Sequence, residues 1–241
     1  MLPIRTAPDE QLRTLALLLS AVFPNEDVSS YCCIIPNSLE ELKQYSGYPE
    51  EQVCISELQP IRQAEFLAGR HCARRAAGRL SMQLGAILWD ARGVPQWPEN
   101  TIGSISHKGR LCAAAVSSLE QYKSIGLDIE TTEYLRAEIW GLYCTRRELI
   151  DLRHHSQPNQ LVNLIFCIKE SVYKCLFPVE RIEFEFSDVE VTLEFDQGIG
   201  QGKFQAEVNP NCRANFRSEI VQGRFSMHSK WVVAGTIMYP R

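Results

Sequence analysis

Hydrophobic positions recur with helical spacing in three stretches of the chain and form short strand-like runs elsewhere. The helical stretches are residues 9–23, residues 61–84 after Pro60, and residues 161–176 before Pro178. Strands are predicted at 102–106, 111–116, 124–130, 183–186, 189–195, 203–208, 223–228 and 231–238, with a hairpin turn at the glycines of 198–202. The order of helix and then strands occurs twice, so we expect an α+β chain of two similar halves, residues 1–122 and residues 123–241.

The composition is that of a folded protein from a reducing compartment. Hydrophobic residues make up 45% of the 241 residues, enough for a core without disulfides. The nine cysteines are odd in number and include no C-x-x-C pair, which argues against a disulfide framework and a zinc site. The net charge of −4 disfavours a nucleic-acid partner. The apolar run at 15–23 is too short to span a bilayer, so we expect a cytoplasmic protein with no transmembrane segment.

Two acids alternate with apolar residues in the predicted strand at 124–130. Side chains at i and i+2 project from one face of a strand, so Asp128 and Glu130 present two carboxylates to one site. Leu127 and Ile129 then face the core. Two hard oxygen ligands suit Mg²⁺. An edge strand with its acids in water is the simpler interpretation, and this motif alone favours it.

The predicted helix at 161–176 carries a glutamate and a lysine on one face. Glu170 and Lys174 are four residues apart, which is also the spacing of a routine surface ion pair. The sequence on either side of them is mostly apolar, so these charges belong to a helix that is otherwise largely buried.

Two further segments carry groups that suit an anionic ligand. Gly103 permits close approach of the backbone to a ligand, and Ser106 and His107 can donate hydrogen bonds to phosphate oxygens. A Ser-His nucleophile pair is the rival interpretation, but adjacent strand residues point to opposite faces and no G-x-S-x-G elbow is present. Arg70 and Arg74 share a helix face and can clamp a phosphate, although a basic stripe is more often solvated surface.

Taken in order, these segments resemble the phosphopantetheinyl transferases of the surfactin and enterobactin synthetase type. The matching motifs are Gly69-Arg70-x3-Arg74-Arg75-Ala76, Trp97-Pro98-x4-Gly103-Ser104-Ile105-Ser106-His107, Gly126-x-Asp128-x-Glu130, Thr145-x-x-Glu148 and Lys169-Glu170-Ser171-x-x-Lys174. The first two look closer to the enterobactin branch. The sequence departs from the pattern at Asn100, where a glycine is expected, and at Lys108, where a small residue is common and a lysine alters the pocket rim.

The resemblance implies two halves related by a pseudo-twofold axis, each a long helix on a small antiparallel sheet, with coenzyme A and Mg²⁺ at their interface. It implies Asp128, Glu130 and Glu170 as metal-binding acids. Glu170 and Lys174 are the implied catalytic residues, as the base for the incoming serine and as a partner of the pyrophosphate oxygen that departs. The implied contacts to coenzyme A are Arg70, Arg75, Ser106, His107, Lys169 and Lys174.

The function that follows from the resemblance is transfer of 4′-phosphopantetheine from coenzyme A to a serine of an apo acyl or peptidyl carrier protein. We expect a monomer that releases 3′,5′-ADP and serves siderophore or other peptide synthesis. Two alternatives stay open: a coenzyme A-binding regulatory protein without activity, and a metal-dependent phosphohydrolase.

Overall fold

The computed structural model of the protein describes residues 8–37, 39–42, 45, 47–196, 200–208 and 219–240. The glycine turn predicted at 198–202 lies partly outside the described residues, and Cys212 lies wholly outside them. Within the described ranges, no helix combines the length and the apolarity that crossing a membrane requires.

The first part of the chain builds a three-stranded antiparallel sheet, in the order β1-β5-β4, with a long helix on one face. Its elements are α1 (Pro8–Val22), β1 (Val28–Ile34), α2 (Leu39–Leu42), α3 (Pro49–Ile55), α4 (Pro60–Arg79), β2 (Leu88–Trp89), β3 (Pro95–Gln96), β4 (Thr101–Lys108) and β5 (Leu111–Ser118). Helix α4 begins at Pro60, because a missing N–H costs little in the first helical turn. Its buried Ala73 and Ala77 belong to the same core cluster as Ala114 of β5, and these small side chains let helix and sheet approach closely.

The second part builds a five-stranded antiparallel sheet, in the order β6-β10-β9-β8-β7, that packs against a second long helix. Its elements are β6 (Ser124–Thr131), α5 (Arg146–His154), α6 (Pro158–Glu180), β7 (Val189–Phe195), β8 (Gln201–Val208), β9 (Glu219–His228) and β10 (Trp231–Met238). Gly126 lets α6 lie directly on β6, because a Cβ at this position would stand 1.9 Å from the Ser171 carbonyl oxygen.

Helix α1 joins the two parts of the molecule. It packs on β1 of the first sheet and on β9 and β10 of the second. Its buried Leu15 and Leu19 share one hydrophobic cluster with Ala115 of β5, Leu127 of β6 and Val233 of β10. This one cluster therefore includes residues of both sheets.

The structure corrects two of the predicted helix ends. Helix α4 ends at Arg79 rather than at residue 84, and Ser81 just beyond it has a φ of 58°, outside the helical region. Helix α6 does not stop before Pro178 but continues through it to Glu180. A proline removes only one helical hydrogen bond, and Phe177 stays buried beside it.

The strand predicted at 183–186 is also wrong. These residues form no strand, and a 3₁₀ turn spans Phe186–Asp188. The alternating Phe184 and Phe186 pack against aromatic residues of α6, with ring centroids 5.2 Å from Tyr173 and 5.4 Å from Phe166. Alternation therefore reflects packing on a helix here, not pairing in a sheet.

Candidate active site

A cavity of about 950 Å³ lies where α4, the β2–β3 hairpin, β4 and the end of α6 come together. Its volume is near the upper end of the range of about 300–1,000 Å³ that is typical of ligand pockets. Its wall combines the aromatic side chains Phe66, Trp89, Trp97, Tyr173 and Phe177 with the charged or titratable side chains Arg62, Glu65, Arg70, Arg92, His107, Glu170, Lys174 and Glu183. The cavity therefore suits a large ligand that carries both rings and charges.

Trp97 reaches the cavity wall because Gly103 leaves room for its ring. A Cβ at position 103 would stand 2.4 Å from the indole. The close approach expected at this glycine is thus made by a side chain of the protein rather than by a ligand. Asn100, in the connecting loop, has a φ of 59°, which asparagine tolerates as the sequence predicts.

The two sheets meet along a seam formed by β4 and β6, each of which is an edge strand of its own sheet. Serine hydroxyls bridge this seam: Ser104 Oγ accepts a hydrogen bond from the Leu127 N–H at 2.9 Å, and Ser106 Oγ accepts one from the Ile129 N–H at 3.3 Å. Both serines face β6 because they are two residues apart on a strand. Ser106 is buried in the seam and does not line the cavity, so the structure does not bring it to the expected phosphate.

Asp128 is a buried carboxylate in this seam. Its Oδ1 accepts hydrogen bonds from Ser106 Oγ at 2.9 Å and from Lys174 Nζ at 2.6 Å. Its Oδ2 is buried and has no hydrogen-bond partner among the described residues. Since Asp128 is only 4% exposed, the interpretation of a solvated acid on an edge strand is wrong for this residue. A buried oxygen without a partner is costly, and a cation would satisfy it.

Glu170 and Lys174 lie one turn apart on α6 and both line the cavity. Burial raises the pKa of Glu170 despite Lys174, and the negative charges of Asp128 and Glu130 add to the rise. Burial tends to lower the pKa of Lys174, but the negative charges of Asp128 and Glu170 together outweigh it, and the pKa lies above its ordinary value. The three acids are therefore close enough to influence one another, with a permanently charged ammonium among them.

Glu130 is held by a lysine of the neighbouring sheet. Lys108 Nζ, at the end of β4, lies 2.6 Å from Glu130 Oε2, and the same oxygen accepts a hydrogen bond from the Thr131 N–H at 3.3 Å. Burial raises the pKa of Glu130, and Lys108 offsets part of the rise. Leu127 and Ile129 face the hydrophobic core, as the strand period predicts.

Arg70 and His107 add cationic and protonatable groups to the cavity wall. The Arg70 guanidinium stacks on Phe66, with Cζ 3.6 Å from the ring centroid, and its Nε donates to the Ile87 carbonyl at 3.0 Å. Burial lowers the pKa of Arg70 to about 10, so the group stays charged at neutral pH. His107 Nε2 lies 3.8 Å from Glu65 Oε2, and burial lowers the pKa of His107.

Lys169 does not line the cavity, although the resemblance implies that it contacts coenzyme A. It is buried on the core side of α6, where Nζ donates to Glu148 Oε2 at 2.7 Å and to the Phe186 carbonyl at 2.9 Å. Neighbouring helical residues differ in direction by about 100°, and here Lys169 points into the core while Glu170 lines the cavity. Glu148 also caps α5 together with Thr145, which makes the Thr-x-x-Glu motif a structural element.

The other two arginines of the α4 motif lie outside the cavity. Arg74 Nη1 pairs with the buried Glu51 at 2.8 Å. Arg75 is exposed and lies over Tyr31, with Cζ 5.4 Å from the ring centroid. The structure thus brings Arg70 but neither Arg74 nor Arg75 to the cavity, because Arg74 turns toward Glu51 of α3 and Arg75 toward solvent.

Sequence reasoning missed most of the aromatic wall. Phe66 and Trp89 meet edge to face with centroids 4.7 Å apart, and Tyr173 stacks on Phe177 at 5.0 Å. Tyr173 follows Glu170 by three residues, which is a spacing that places both on one helix face. This spacing is the feature of the sequence that could have predicted Tyr173 in the cavity wall.

Comparisons with known proteins identify the family of this chain. Residues 50–117 match the 4'-phosphopantetheinyl transferase N-terminal domain, and residues 124–221 match the 4'-phosphopantetheinyl transferase superfamily. The 4'-phosphopantetheinyl transferase Npt of Nocardia iowensis is 31% identical over 83% of this chain and 93% of Npt. The chain belongs to the 4'-phosphopantetheinyl transferase superfamily.

Two more relatives are similar over shorter spans. The 4'-phosphopantetheinyl transferase PptT of Mycobacterium tuberculosis is 30% identical over 66% of this chain and 71% of PptT. Enterobactin synthase component D of Salmonella typhi is 34% identical over 47% of each chain. The chain is therefore a phosphopantetheinyl transferase, an enzyme of the holo-carrier-protein synthase type.

The acids of this transferase fit a divalent cation in their chemistry. Among the residues that the structure describes, no group of three or more His, Cys, Asp or Glu side chains forms a preformed metal cage. Mg²⁺ in phosphate-transferring sites commonly uses one or two carboxylates and completes its shell with phosphate oxygens and water. The partnerless Oδ2 of Asp128, with Glu170 on the adjoining helix, suits that arrangement.

Proposed function

We propose that this transferase moves 4′-phosphopantetheine from coenzyme A to a serine of an apo acyl or peptidyl carrier protein, depends on Mg²⁺, and releases 3′,5′-ADP. The position of one buried carboxylate behind the cavity supports the proposal most strongly. A buried carboxylate with a partnerless oxygen, Asp128, lies behind a cavity whose wall presents Glu170 and Lys174.

The cavity wall supports binding of coenzyme A by charge and by stacking. Arg70 is a fixed cation, and His107 is cationic below its lowered pKa; both line the cavity, which supports contacts to the 3′-phosphate and adenosine end. The aromatic rings offer flat surfaces for the adenine. Lys174 is the cation available to the pyrophosphate, with Asp128 keeping it protonated.

Asp128 and Glu170 are the residues that would hold Mg²⁺ most directly, and Glu130, the third acid of the set, is paired with Lys108. The ion, when bound, supplies positive charge that neutralises the diphosphate. The partnerless Asp128 oxygen supports its part in this set most directly.

Glu170 is proposed as the base for the acceptor serine. The serine oxygen forms a bond to the β-phosphorus, the bond from that phosphorus to the bridging oxygen breaks, and 3′,5′-ADP leaves with the electron pair. The hydroxyl proton passes to Glu170, whose raised pKa brings it closer to neutrality and makes it a better proton acceptor. Lys174 donates to the bridging oxygen, which departs on 3′,5′-ADP.

Several finer expectations stay predictions. They are the enterobactin branch, the pseudo-twofold relation, the division into residues 1–122 and 123–241, the monomeric state, and a role in the cytoplasm in siderophore or peptide synthesis. The proposed acceptor is a carrier protein with a reactive serine.

The decisive experiment is intact-mass spectrometry of apo carrier proteins incubated with this enzyme, coenzyme A and Mg²⁺. We expect a gain of about 340 Da, the mass of one phosphopantetheine, and its loss with EDTA. A gain that survives EDTA would contradict the metal dependence. No gain on any acyl or peptidyl carrier, together with tight coenzyme A binding, would favour the regulatory-protein alternative.

A further inference from the structure

The acids near the cavity are not equally available to a cation. Asp128 Oδ1 is bound to Lys174, but Oδ2 has no hydrogen-bond partner in the described part of the chain. Glu130 is engaged by Lys108 Nζ at 2.6 Å and by the Thr131 N–H. Glu170 lines the cavity and makes no ion pair within the described residues. Asp128 and Glu130 are thus both paired with a lysine at 2.6 Å, but Asp128 keeps a buried second oxygen that no described residue satisfies.

Lys108 is built into this contact by the fold. It is the last residue of β4, opposite Leu111 of β5, and the seam between the sheets brings it beside Glu130 of β6. The Lys108 side chain is 38% exposed whereas that of Glu130 is 14% exposed, so the ammonium covers the carboxylate from the solvent side. Charged hydrogen bonds of this kind are stronger than neutral ones, so a cation that draws on Glu130 must weaken this contact or share the carboxylate with the lysine.

We propose that Lys108 competes with the divalent cation for Glu130 and so sets the metal affinity of this enzyme. With Lys108 in place, Asp128 and Glu170 are the acids that a cation meets first, and Glu130 contributes little. This inference rests on the proposed metal-dependent transfer, and it names a residue that tunes the metal site rather than a ligand of it.

The test measures the binding of Mn²⁺ to the whole protein, with and without coenzyme A. Binding is monitored as the loss of the electron paramagnetic resonance signal of the free ion. We expect Lys108→Gln to tighten the Mn²⁺ dissociation constant about tenfold, since one charge-assisted contact no longer opposes the metal. Lys108→Arg, which keeps the charge, should leave the affinity within about twofold of wild type. A weaker affinity in Lys108→Gln would overturn the inference.

A double-mutant cycle identifies Glu130 as the group involved. Glu130→Gln should change Mn²⁺ affinity by less than about twofold in the wild-type background but weaken it about tenfold in the Lys108→Gln background. Equal weakening in both backgrounds would mean that Glu130 binds the metal regardless of Lys108, and the inference would fail. Circular dichroism confirms that each variant is folded.

A matched surface variant separates this effect from net charge. Lys123 pairs with Glu180 at 2.7 Å, is 31% exposed, and lies just before β6, five residues from Asp128. Lys123→Gln should leave Mn²⁺ affinity unchanged. If Lys123→Gln tightened Mn²⁺ binding as much as Lys108→Gln, the effect would come from overall charge and the inference would be wrong. If neither the wild type nor any variant binds Mn²⁺, with or without coenzyme A, the inference and the proposed metal dependence both fail. The mass gain of the carrier protein still tests the transfer reaction separately.

Discussion

The Ser106 side chain connects three secondary-structure elements through its hydrogen bonds. Its hydroxyl accepts hydrogen bonds from the Ile129 N–H and from Lys174 Nζ at 3.1 Å, and it donates one to Asp128 Oδ1. One buried oxygen therefore joins β4, β6 and α6 at the point where the candidate site is built. The side chain expected to hold a phosphate instead orients the carboxylate and the lysine beside the cavity.

At the same scale, Glu170→Gln tests the proposed base. The substitution removes the charge but little volume, so we expect kcat to fall about a hundredfold or more while coenzyme A binding survives. Because burial raises the pKa of Glu170, wild-type activity should rise with pH as this carboxyl deprotonates. The pH profile of the variant should lack this rise. Glu180→Gln, on the same helix, is the control. Near-normal kcat in Glu170→Gln would remove this residue from the proposed mechanism.

His107→Ala tests the contact to coenzyme A. We expect the KM for coenzyme A to rise more than the KM for the carrier protein, because only coenzyme A carries the 3′-phosphate. Burial lowers the pKa of His107, so the cationic form is lost as pH rises through that lowered value, and coenzyme A affinity should weaken over the same interval. Calorimetric titrations at several pH values measure this, with His154→Ala on α5 as control. An unchanged pH dependence in His107→Ala contradicts the assignment.

At the scale of elements, periodicity predicts which residues share a face but not what that face meets. The strand period puts Asp128 and Glu130 together, and the helix period puts Glu170 and Lys174 together. It cannot show that Lys169 turns into the core, because an apolar helix gives no contrast between its faces. The partner of Lys169 is Glu148, 21 residues earlier, and only the packing of α5 on α6 brings the two together.

The Lys169–Glu148 pair should act as a stability element rather than as a binding element. Both side chains are almost fully buried, so Lys169→Met leaves an uncompensated carboxylate and should cost about 3–5 kcal/mol of unfolding free energy. Urea denaturation measures this loss. Arg147→Gln breaks the exposed Arg147–Glu190 pair and should cost less than about 1 kcal/mol. A fully stable Lys169→Met with a raised KM for coenzyme A would instead support the phosphate contact first expected of Lys169.

At the scale of the whole molecule, local patterns predict the α+β class but not the assembly of the site. Strand β1 pairs with β5 about 80 residues later, and neither β1 nor α3 has a pattern distinctive enough to predict it. The cavity needs α4 and β4 from the first part and α6 from the second, so no single segment contains it. Five short motifs in order indicated the family, and long-range packing decides which motif residues reach the cavity.

The shared core predicts that the two parts unfold together. Chains of this length often unfold in separate steps. Here Leu15 of α1 packs in one cluster with residues of both sheets, so losing either part exposes the core of the other. Trp89 and Trp97 report on the first part, and Trp140 and Trp231 on the second. In two variants that each keep one tryptophan pair, with phenylalanine replacing the other, the fluorescence transition should coincide with the far-ultraviolet circular dichroism transition. Separate midpoints in either variant would show that the parts unfold independently and that α1 does not couple them.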